Sequence, residues 1–386
     1  MKIKLSKKIG LLFSLATLAL SVQADPIKIG MSTALDGPAK GLGTSVKLGV
    51  ETYFHKINKA GGIKGNKLEL IALDDGYEPK RAGPNMRKLI DEEKVVAVIG
   101  NVGTPTAVVT VPIANEKKTL LFGAVTGAGL LRKSPPDRYI INYRASYGEE
   151  TAAMISGLMK SGIKPTEIAL FTQNDGYGDA GYNGAMAALK AQGFTDTGKI
   201  AHGRYKRNTV NIEEGLSTIL DADVEPKAII MVGAYKPCAA FIKMAKEELP
   251  NAFFLNVSFV GSIPLLNELE GKTDKVIVTQ VVPHFEDSSA GVKQFRDDLA
   301  AYKSSEKPGF LSLEGYLAAK ILVDGLQKAA TVNRESVIDG LESLGSIDVG
   351  IGKTLSLSAT EHQANHNVWP TRIEGGRYVS FTWDKL

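Results

Sequence analysis

Residues 95–131 read VVAVIGNVGTPTAVVTVPIANEKKTLLFGAVTGAGLL, and this stretch decides the fold. Residues 95–99 form a continuous apolar run rich in β-branched side chains, which is typical of a strand buried on both faces of a parallel sheet. We expect Thr104 to cap a helix over 105–117. A second buried strand is predicted at 119–122, so the stretch forms a strand–helix–strand unit.

Glycine-rich turns follow both predicted strands, at 100–103 and 123–129. Open α/β sheets bind ligands at the carboxyl ends of their strands, and both turns lie there. Each turn offers backbone N–H groups and hydroxyls with little side-chain bulk. We therefore expect these turns to hold a small anion or amide without a cofactor.

The first 24 residues have the features of a signal peptide. Four lysines precede an apolar segment at 9–20, which is too short for a comfortable membrane span, and Val22-Gln23-Ala24 resembles a cleavage site. The alternative is an N-terminal membrane anchor. We expect cleavage before Asp25 and a soluble protein in the periplasm.

Charge and cysteine content exclude several classes of protein. The chain has 46 basic and 42 acidic residues, and the predicted leader contains four of the lysines, so the mature chain is balanced in charge. A nucleic-acid partner is therefore not expected. Cys238 is the single cysteine and cannot form an intramolecular disulfide; we expect it to be a small buried hydrophobe rather than a reactive thiol.

Strand and helix patterns alternate along the mature chain and restart after Ser146, which predicts two α/β lobes with parallel sheets on either side of a cleft. Helices dominate from 289 to 344, and the tail becomes β-like from 367. The predicted strands of the alternating region lie at 26–31, 67–73, 95–99, 119–122, 167–172, 197–202, 228–232, 253–257 and 275–281.

Catalytic and cofactor motifs are not found in the sequence. It contains no P-loop, no HExxH zinc motif and no GxSxG nucleophile elbow. His362 and His366 are four residues apart, but the turn-forming residues around them argue against a helix that would direct both to a metal. Asp74-Asp75 is either catalytic or bonded to turn amides as a cap for the next helix, and the second interpretation is favoured.

The chain resembles the periplasmic solute-binding proteins of branched-chain amino-acid ABC transporters, the leucine/isoleucine/valine-binding type. INKAGGIKGNKL at 57–68 and DDGYEPK at 74–80 carry the resemblance most specifically, supported by 27–38 and 98–106. It covers nearly the whole mature chain. It implies the type I fold, two Rossmann-like lobes joined by a three-strand hinge with a ligand cleft between them.

On this resemblance the first lobe comprises 25–145 plus 283–343, and the second comprises 146–282 plus 344–386. The resemblance also implies ligand contacts from both lobes. We expect the loops after the third and fourth strands to hold a ligand carboxylate, and tyrosines near the start of the second lobe and within it to form walls, the alternative for each being a packing role. The implied ligand-binding residues are Gly103, Thr104, Thr106, Val125, Thr126, Gly127, Tyr147, Tyr177, Tyr235 and Ser258.

One departure from the family pattern concerns Ser258. Members that bind amino acids place an acid at this position, where it pairs with the ligand ammonium, and Leu42 likewise stands where a tyrosine is expected. Since a buried ammonium without an anion is costly, two alternatives follow. Either Glu149, Glu150 or Asp175 substitutes for the acid, or the ligand lacks an α-amino group and is an aromatic acid, a keto acid or an amide.

The resemblance implies a binding protein and not an enzyme, with no cofactor and no metal. We expect a monomer that captures a small carboxylate-bearing solute by cleft closure and docks on the membrane permease of an ABC importer. The solute is a branched-chain or hydrophobic amino acid, or a related carboxylic acid or amide. The alternative is presentation of the ligand to a chemoreceptor or sensor kinase; an exported hydrolase is disfavoured by the missing motifs.

Overall fold

A computed structural model describes residues 25–386, and the predicted leader lies outside these residues. The first lobe is built on a five-stranded parallel sheet in the order β2-β1-β3-β4-β5. Its strands are β1 Ile27–Thr33, β2 Leu68–Asp74, β3 Ala97–Ile99, β4 Leu120–Phe122 and β5 Ile140–Ile141. The connecting helices are α1 Lys40–Lys59, α2 Pro79–Arg87, extended by a π-helical turn over Lys88–Glu92, and α3 Thr104–Glu116.

The second lobe is built on a seven-stranded sheet in the order β14-β13-β10-β9-β8-β6-β7, where β13 and β14 are antiparallel to their neighbours. Its strands are β6 Ile168–Gln173, β7 His202–Tyr205, β8 Ala228–Val232, β9 Phe253–Asn256, β10 Val276–Gln280, β13 Trp369–Glu374 and β14 Arg377–Ser380. Its helices are α4 Tyr147–Lys160, α5 Gly176–Ala191, α6 Glu213–Leu220, α7 Tyr235–Glu248 and α8 Ser262–Glu268. The predicted α/β class with two parallel-sheet lobes is confirmed.

Three helices follow β10: α9 Ala290–Tyr302, α10 Phe310–Lys328 and α11 Arg334–Glu342, of which α9 and α10 contact α1 of the first lobe. Helix α10 packs closely on α1 because glycines line the contact. A Cβ at Gly49 would lie 1.9 Å from the Ser312 carbonyl oxygen, and one at Gly315 would lie 2.3 Å from that of Val46. The two backbones therefore touch directly.

A two-stranded sheet, β11 Gly345–Asp348 and β12 Thr354–Leu357, follows α11. The turn between its strands lies against the first lobe, where the Gly291 N–H of α9 donates to the Gly350 carbonyl at 2.7 Å. Further along, Asn142 and Gln363 form a parallel bridge. This bridge lies beside the segment around residue 145 where the chain first passes from one lobe to the other (the first crossing). We therefore propose that the last crossing follows residue 363, and that 345–357 belongs to the first lobe rather than to the second.

The predicted strand at 197–202 is wrong. Thr197–Lys199 forms a 3-10 turn, and the strand runs over His202–Tyr205, pairing with β6. The physical reason is burial: Gly203 and Tyr205 alternate with less buried neighbours and fit the edge of the sheet, whereas Gly198 and Lys199 are exposed.

At the first crossing Arg144 is buried completely and forms a bidentate ion pair with Glu314 of α10, at 2.8 and 2.7 Å. Fork-shaped pairing of this kind fixes orientation as well as charge.

Within residues 25–386, no helix is both long enough and apolar enough to cross a bilayer.

Candidate functional site

The two glycine-rich loops of the first lobe meet at the carboxyl edge of its sheet. Val102 and Val125 form a parallel bridge, and the Gly103 N–H donates to the Val125 carbonyl at 3.1 Å. The hydroxyls of Thr104 and Thr126 lie 2.7 Å apart, and both are buried. Hydroxyls from two loops therefore converge on one point.

Gly103, and not Thr104, precedes helix α3. The expected cap is wrong because Thr104 is the first helical residue and its hydroxyl contacts Thr126. Gly103 has φ +98°, and a Cβ there would lie 2.1 Å from the Tyr77 ring. A glycine is required at this position by the backbone conformation and by the aromatic ring that covers it.

Thr106 lies one position beyond Pro105, and its hydroxyl does not face the partner loop. It donates within its own helix start, to the carbonyls of Val102 and, at 2.9 Å, of Gly103. Its donor is therefore already used. Of the threonines expected to hold a carboxylate, Thr104 and Thr126 are the two whose hydroxyls come together.

Four aromatic rings form a cluster between the lobes: Tyr77, Tyr147, Tyr177 and Phe259 (the ring cluster). The ring centroids are 5.1 Å apart for Tyr147 and Tyr177, 4.6 Å for Tyr177 and Phe259, and 5.8 Å for Phe259 and Tyr77. All four are buried. Sequence reasoning did not single out Tyr77 or Phe259, although Tyr77 lies in the DDGY motif and Phe259 follows Ser258.

Among the tyrosines of the ring cluster, Tyr147 is the one whose hydroxyl has no hydrogen-bond partner within the described residues. Its N–H donates to the Gly127 carbonyl at 2.9 Å, which holds the first crossing against the loop after β4. Burial raises the pKa of Tyr147 to about 12, with the nearby Arg144, Thr126 and Gly127 opposing the shift, so the hydroxyl stays protonated. Within the described residues this buried hydroxyl has no hydrogen-bond partner. Its proton is therefore not directed at an acceptor of the described residues.

The other two predicted tyrosines are already engaged. The Tyr177 hydroxyl donates to the Gly233 carbonyl at 3.2 Å. The Tyr235 hydroxyl accepts from the Gly41 N–H of the first lobe at 3.3 Å, and none of the ring–ring contacts found in residues 25–386 joins Tyr235 to the ring cluster. Tyr235 therefore contributes to the contact between the lobes.

Ser258 lies against a carboxylate from another element. Its N–H and hydroxyl donate to the two oxygens of Glu150, at 2.7 and 2.9 Å, and the Thr279 hydroxyl donates at 2.6 Å. Glu150 is buried completely. Burial raises the pKa of Glu150, with Arg144 and the three donors opposing the shift. Of the three acids considered as substitutes, Glu150 is the one at Ser258.

The remaining acids have structural partners. Ser146 caps α4, and Glu149 completes the capping box by accepting from the Ser146 N–H; the other oxygen of Glu149 lies 2.6 Å from His366 Nδ1. Asp175 caps α5 by accepting from the Tyr177 N–H at 3.0 Å.

The expected turn-amide role of Asp74-Asp75 is confirmed, but the expected cap is wrong, because Glu78 is the residue that precedes α2. Asp74 accepts from the Leu35 and Gly76 N–H groups, and Asp75 accepts from the Tyr77 N–H.

Over residues 25–386 there is no cluster of three or more side chains that could hold a metal ion. Cys238 is a free and buried cysteine, as predicted.

A cavity of about 740 Å³ opens between the lobes next to this site. The loop after β4 lines it from the first lobe, and the starts of α4 and α5 line it from the second. Gly127, Gly148 and Gly176 leave part of its wall without side chains, and Glu149 and Arg132 contribute charge. Residues beside the ring cluster therefore border solvent-accessible space.

Comparison with known proteins identifies relatives over nearly the whole chain. The sequence model of a family described as periplasmic binding protein matches residues 26–377. The Leu/Ile/Val-binding protein BraC3 of Rhizobium johnstonii is 26% identical over 349 residues, covering 88% of this chain and 90% of that protein.

Solved structures agree with this match. A possible leucine/isoleucine/valine-binding protein from Rhodopirellula baltica is 45% identical, with a TM-score of 0.92 and coverage of 95% of this chain and 99% of that one. A branched-chain amino acid ABC transporter protein from Thermus thermophilus, with bound valine, is 18% identical, with a TM-score of 0.81 and coverage of 93% and 96%; that likeness concerns the fold.

Proposed function

We propose a ligand and a mode of capture from one premise: the chain belongs to the periplasmic binding protein family and is a solute-binding component of an ABC transporter. In this proposal the ligand is a small α-amino acid with an apolar side chain, bound between the lobes. The observation that carries the proposal is the Glu150 carboxylate held at Ser258.

Glu150 supports an ammonium group on the ligand. Its three hydrogen-bond donors, from Ser258 and Thr279, are all neutral, and the nearby Arg144 is engaged in its bidentate pair with Glu314. A buried carboxylate is stabilised strongly by a cation at contact distance. A ligand ammonium supplies that cation. Glu150 thereby provides the negative charge that the family pattern places at the position of Ser258.

The first lobe supports a carboxylate at the other end of the ligand. The Thr104 and Thr126 hydroxyls meet at the start of α3, and the Tyr147 hydroxyl next to them is a donor without a partner among residues 25–386. Donor groups and the positive end of a helix dipole both stabilise an anion. The ligand carboxylate accepts from the Tyr147 hydroxyl and from whichever of the Thr104 and Thr126 hydroxyls does not donate to the other.

The ring cluster supports an apolar side chain on the ligand. Tyr77, Tyr177 and Phe259 present carbon-rich faces between the lobes. A relative from Rhizobium is named as a Leu/Ile/Val-binding protein, and one from Rhodopirellula is titled a possible leucine/isoleucine/valine-binding protein, which agrees with such a side chain. Leucine, isoleucine and valine are the ligands to test first.

The finer aspects of the role are part of the same proposal. The mature chain begins at Asp25, is soluble in the periplasm as a monomer, and delivers its ligand unchanged to a membrane permease. The family match supports this role, since the family is described as periplasmic binding protein and its model matches residues 26–377. Recovery of bound ligand in unaltered form after denaturation tests the absence of catalysis.

A thermal-shift panel on residues 25–386 tests the ligand. It contains leucine, isoleucine, valine and phenylalanine beside 4-methyl-2-oxopentanoate, 4-methylpentanoate and leucinamide. A ligand at a hundredfold over its Kd adds about 2.7 kcal/mol to the stability of the native state. We expect shifts with the amino acids, and weak or no shifts with compounds lacking either the amino group or the carboxylate.

Shifts confined to the keto acid and the carboxylic acid would contradict the ammonium site and favour a ligand held by its carboxylate alone. Shifts with leucinamide equal to those with leucine would contradict the carboxylate site. Because leucine and 4-methylpentanoate share the same carbon skeleton, the pair isolates the amino group.

A further inference from the structure

Four polar side chains join the lobes beside the ring cluster: Glu78, Asp175, Arg207 and Asn208 (the latch). Glu78 belongs to the first lobe and precedes α2, whereas the other three belong to the second lobe. Arg207 Nη2 lies 2.9 Å from Glu78 Oε2, and Arg207 Nη1 lies 3.1 Å from Asp175 Oδ2. Asn208 Nδ2 donates to Glu78 Oε1 at 2.6 Å.

The latch is continuous with the ring cluster. Asp175 accepts from the Tyr177 N–H, and Glu78 follows Tyr77 directly in the chain. Gln173 Nε2 donates to Asp175 at 2.8 Å and to the Tyr77 hydroxyl at 3.1 Å. The loops that carry the latch therefore also carry two of the rings that we assign to the ligand site.

Separation of the lobes affects the latch unequally. Arg207 and Asp175 belong to the same lobe and stay together, whereas both contacts to Glu78 cross the cleft and break. The side chains of Arg207 and Asp175 are 24% and 18% exposed, and that of Glu78 is 39% exposed. Solvent therefore screens this network less than it screens a fully exposed pair.

We propose that the latch stabilises the closed arrangement of the lobes independently of the ligand, and that Arg207 thereby raises ligand affinity without touching the ligand. Only a contact that differs between two states can shift their populations, and the Glu78 contacts do so. A ligand that binds the closed form gains affinity in proportion to the fraction of protein already closed. The affinity part rests on the proposed function, whereas the closure part does not.

The test compares Glu78→Gln, Arg207→Gln and the double variant with the native chain. Arg87→Gln is the matched control, because Arg87 pairs bidentately with Glu116 at 3.0 and 2.9 Å within the first lobe. Spin labels at Lys80→Cys and Lys206→Cys, both exposed positions, report the distance across the cleft. Cys238 is buried and leaves the labelling selective.

In ligand-free protein we expect longer and broader label distances for Glu78→Gln and Arg207→Gln, and native distances for Arg87→Gln. With leucine as the probe, the two latch variants bind about three- to tenfold more weakly. The loss of leucine affinity in the double variant is smaller than the sum of the two single losses, because both substitutions remove the contact between Glu78 and Arg207.

Label distances in Glu78→Gln and Arg207→Gln that match those of Arg87→Gln would overturn the proposal. If leucine binds neither the native chain nor any variant, the proposed ligand is wrong, and the distances in ligand-free protein still decide the latch. Longer distances with unchanged leucine affinity would overturn the affinity part alone.

Discussion

The carboxylate of Glu150 accepts hydrogen bonds from both the N–H and the hydroxyl of Ser258, at 2.7 and 2.9 Å. Ser258 stands where the family pattern predicts an acid, and the negative charge reaches that position from helix α4 instead. On the proposed function, the Glu150 carboxylate compensates for the missing acid from a position 108 residues earlier in the chain.

Glu150→Gln tests whether this charge holds the ligand. The amide can keep the hydrogen bonds of Ser258 and Thr279, because hydroxyls reverse their donor role, but it loses the charge. Loss of a buried charge partner costs about 2–5 kcal/mol in binding, so we expect leucine affinity measured by calorimetry to fall at least thirtyfold. Affinity should also fall in acid, because protonation of Glu150, whose pKa is raised by burial, removes the anion.

The matched control for this variant is Glu167→Gln. Glu167 also carries a mostly buried carboxylate in the second lobe, but it precedes β6 and pairs with Lys227 away from the cleft. We expect native leucine affinity for this control. Equal affinity of Glu150→Gln and Glu167→Gln would show that the ligand ammonium lies elsewhere.

Thr104→Val and Thr106→Val separate two threonines with different roles. The Thr104 hydroxyl meets Thr126 at the convergence of the loops, whereas the Thr106 hydroxyl donates to its own helix start. A hydrogen bond to a charged group contributes about 1.5–3 kcal/mol, so leucine should bind Thr104→Val at least tenfold more weakly. Titration of Thr106→Val should give a change below threefold, and the reverse order would place the carboxylate at Thr106.

Gly103→Ala should destabilise the protein. Its φ of +98° is strained for alanine, and the new Cβ would overlap the Tyr77 ring at 2.1 Å. We expect a loss of about 2–4 kcal/mol in the free energy of unfolding measured with urea. Gly129→Ala, in the loop after β4, is the control, because a Cβ there has no neighbouring atom within 4 Å. A native urea midpoint for Gly103→Ala would show that Tyr77 moves aside without cost.

Asp75 should make stability depend on pH in one direction. Burial raises the pKa of Asp75 to about 6, against the opposing hydrogen bonds from Ser32 and Tyr77. Between pH 4 and pH 6 the folded state therefore holds a proton that the unfolded state has lost, and the contribution of Asp75 falls as pH rises through this window. The contribution lost by pH 7 is up to about 3 kcal/mol.

Asp75→Asn removes this dependence. Burial lowers the pKa of His202 to about 4. His202 therefore acts in the opposite direction, because its contribution to the stability of the protein is lost as pH falls. The informative quantity is therefore the difference in unfolding free energy between native and Asp75→Asn proteins at pH 4 and pH 7. We expect the variant to gain relative to the native chain at pH 7, and an unchanged difference would show that Asp75 titrates normally.

The alternation of strands and helices was predictable because it depends on local patterns. The apolar run before Gly100 fills β3, and the glycines after β3 and β4 form the two loops that meet at Thr104 and Thr126. Errors occurred where the local pattern was ambiguous. Residues near Thr197 have strand-forming neighbours, but their exposure excludes them from the sheet.

The sequence by itself determined the α/β class, the position of the two glycine-rich loops and the family to which the chain belongs. Only the tertiary structure decided which acid lies at Ser258, which rings close the cleft and what joins the lobes. Glu150 and Ser258 are 108 residues apart, and Glu78 and Arg207 are 129 residues apart. Periodicity reports the neighbours of a residue along one helix or strand, whereas these contacts depend on how two sheets dock across the crossings.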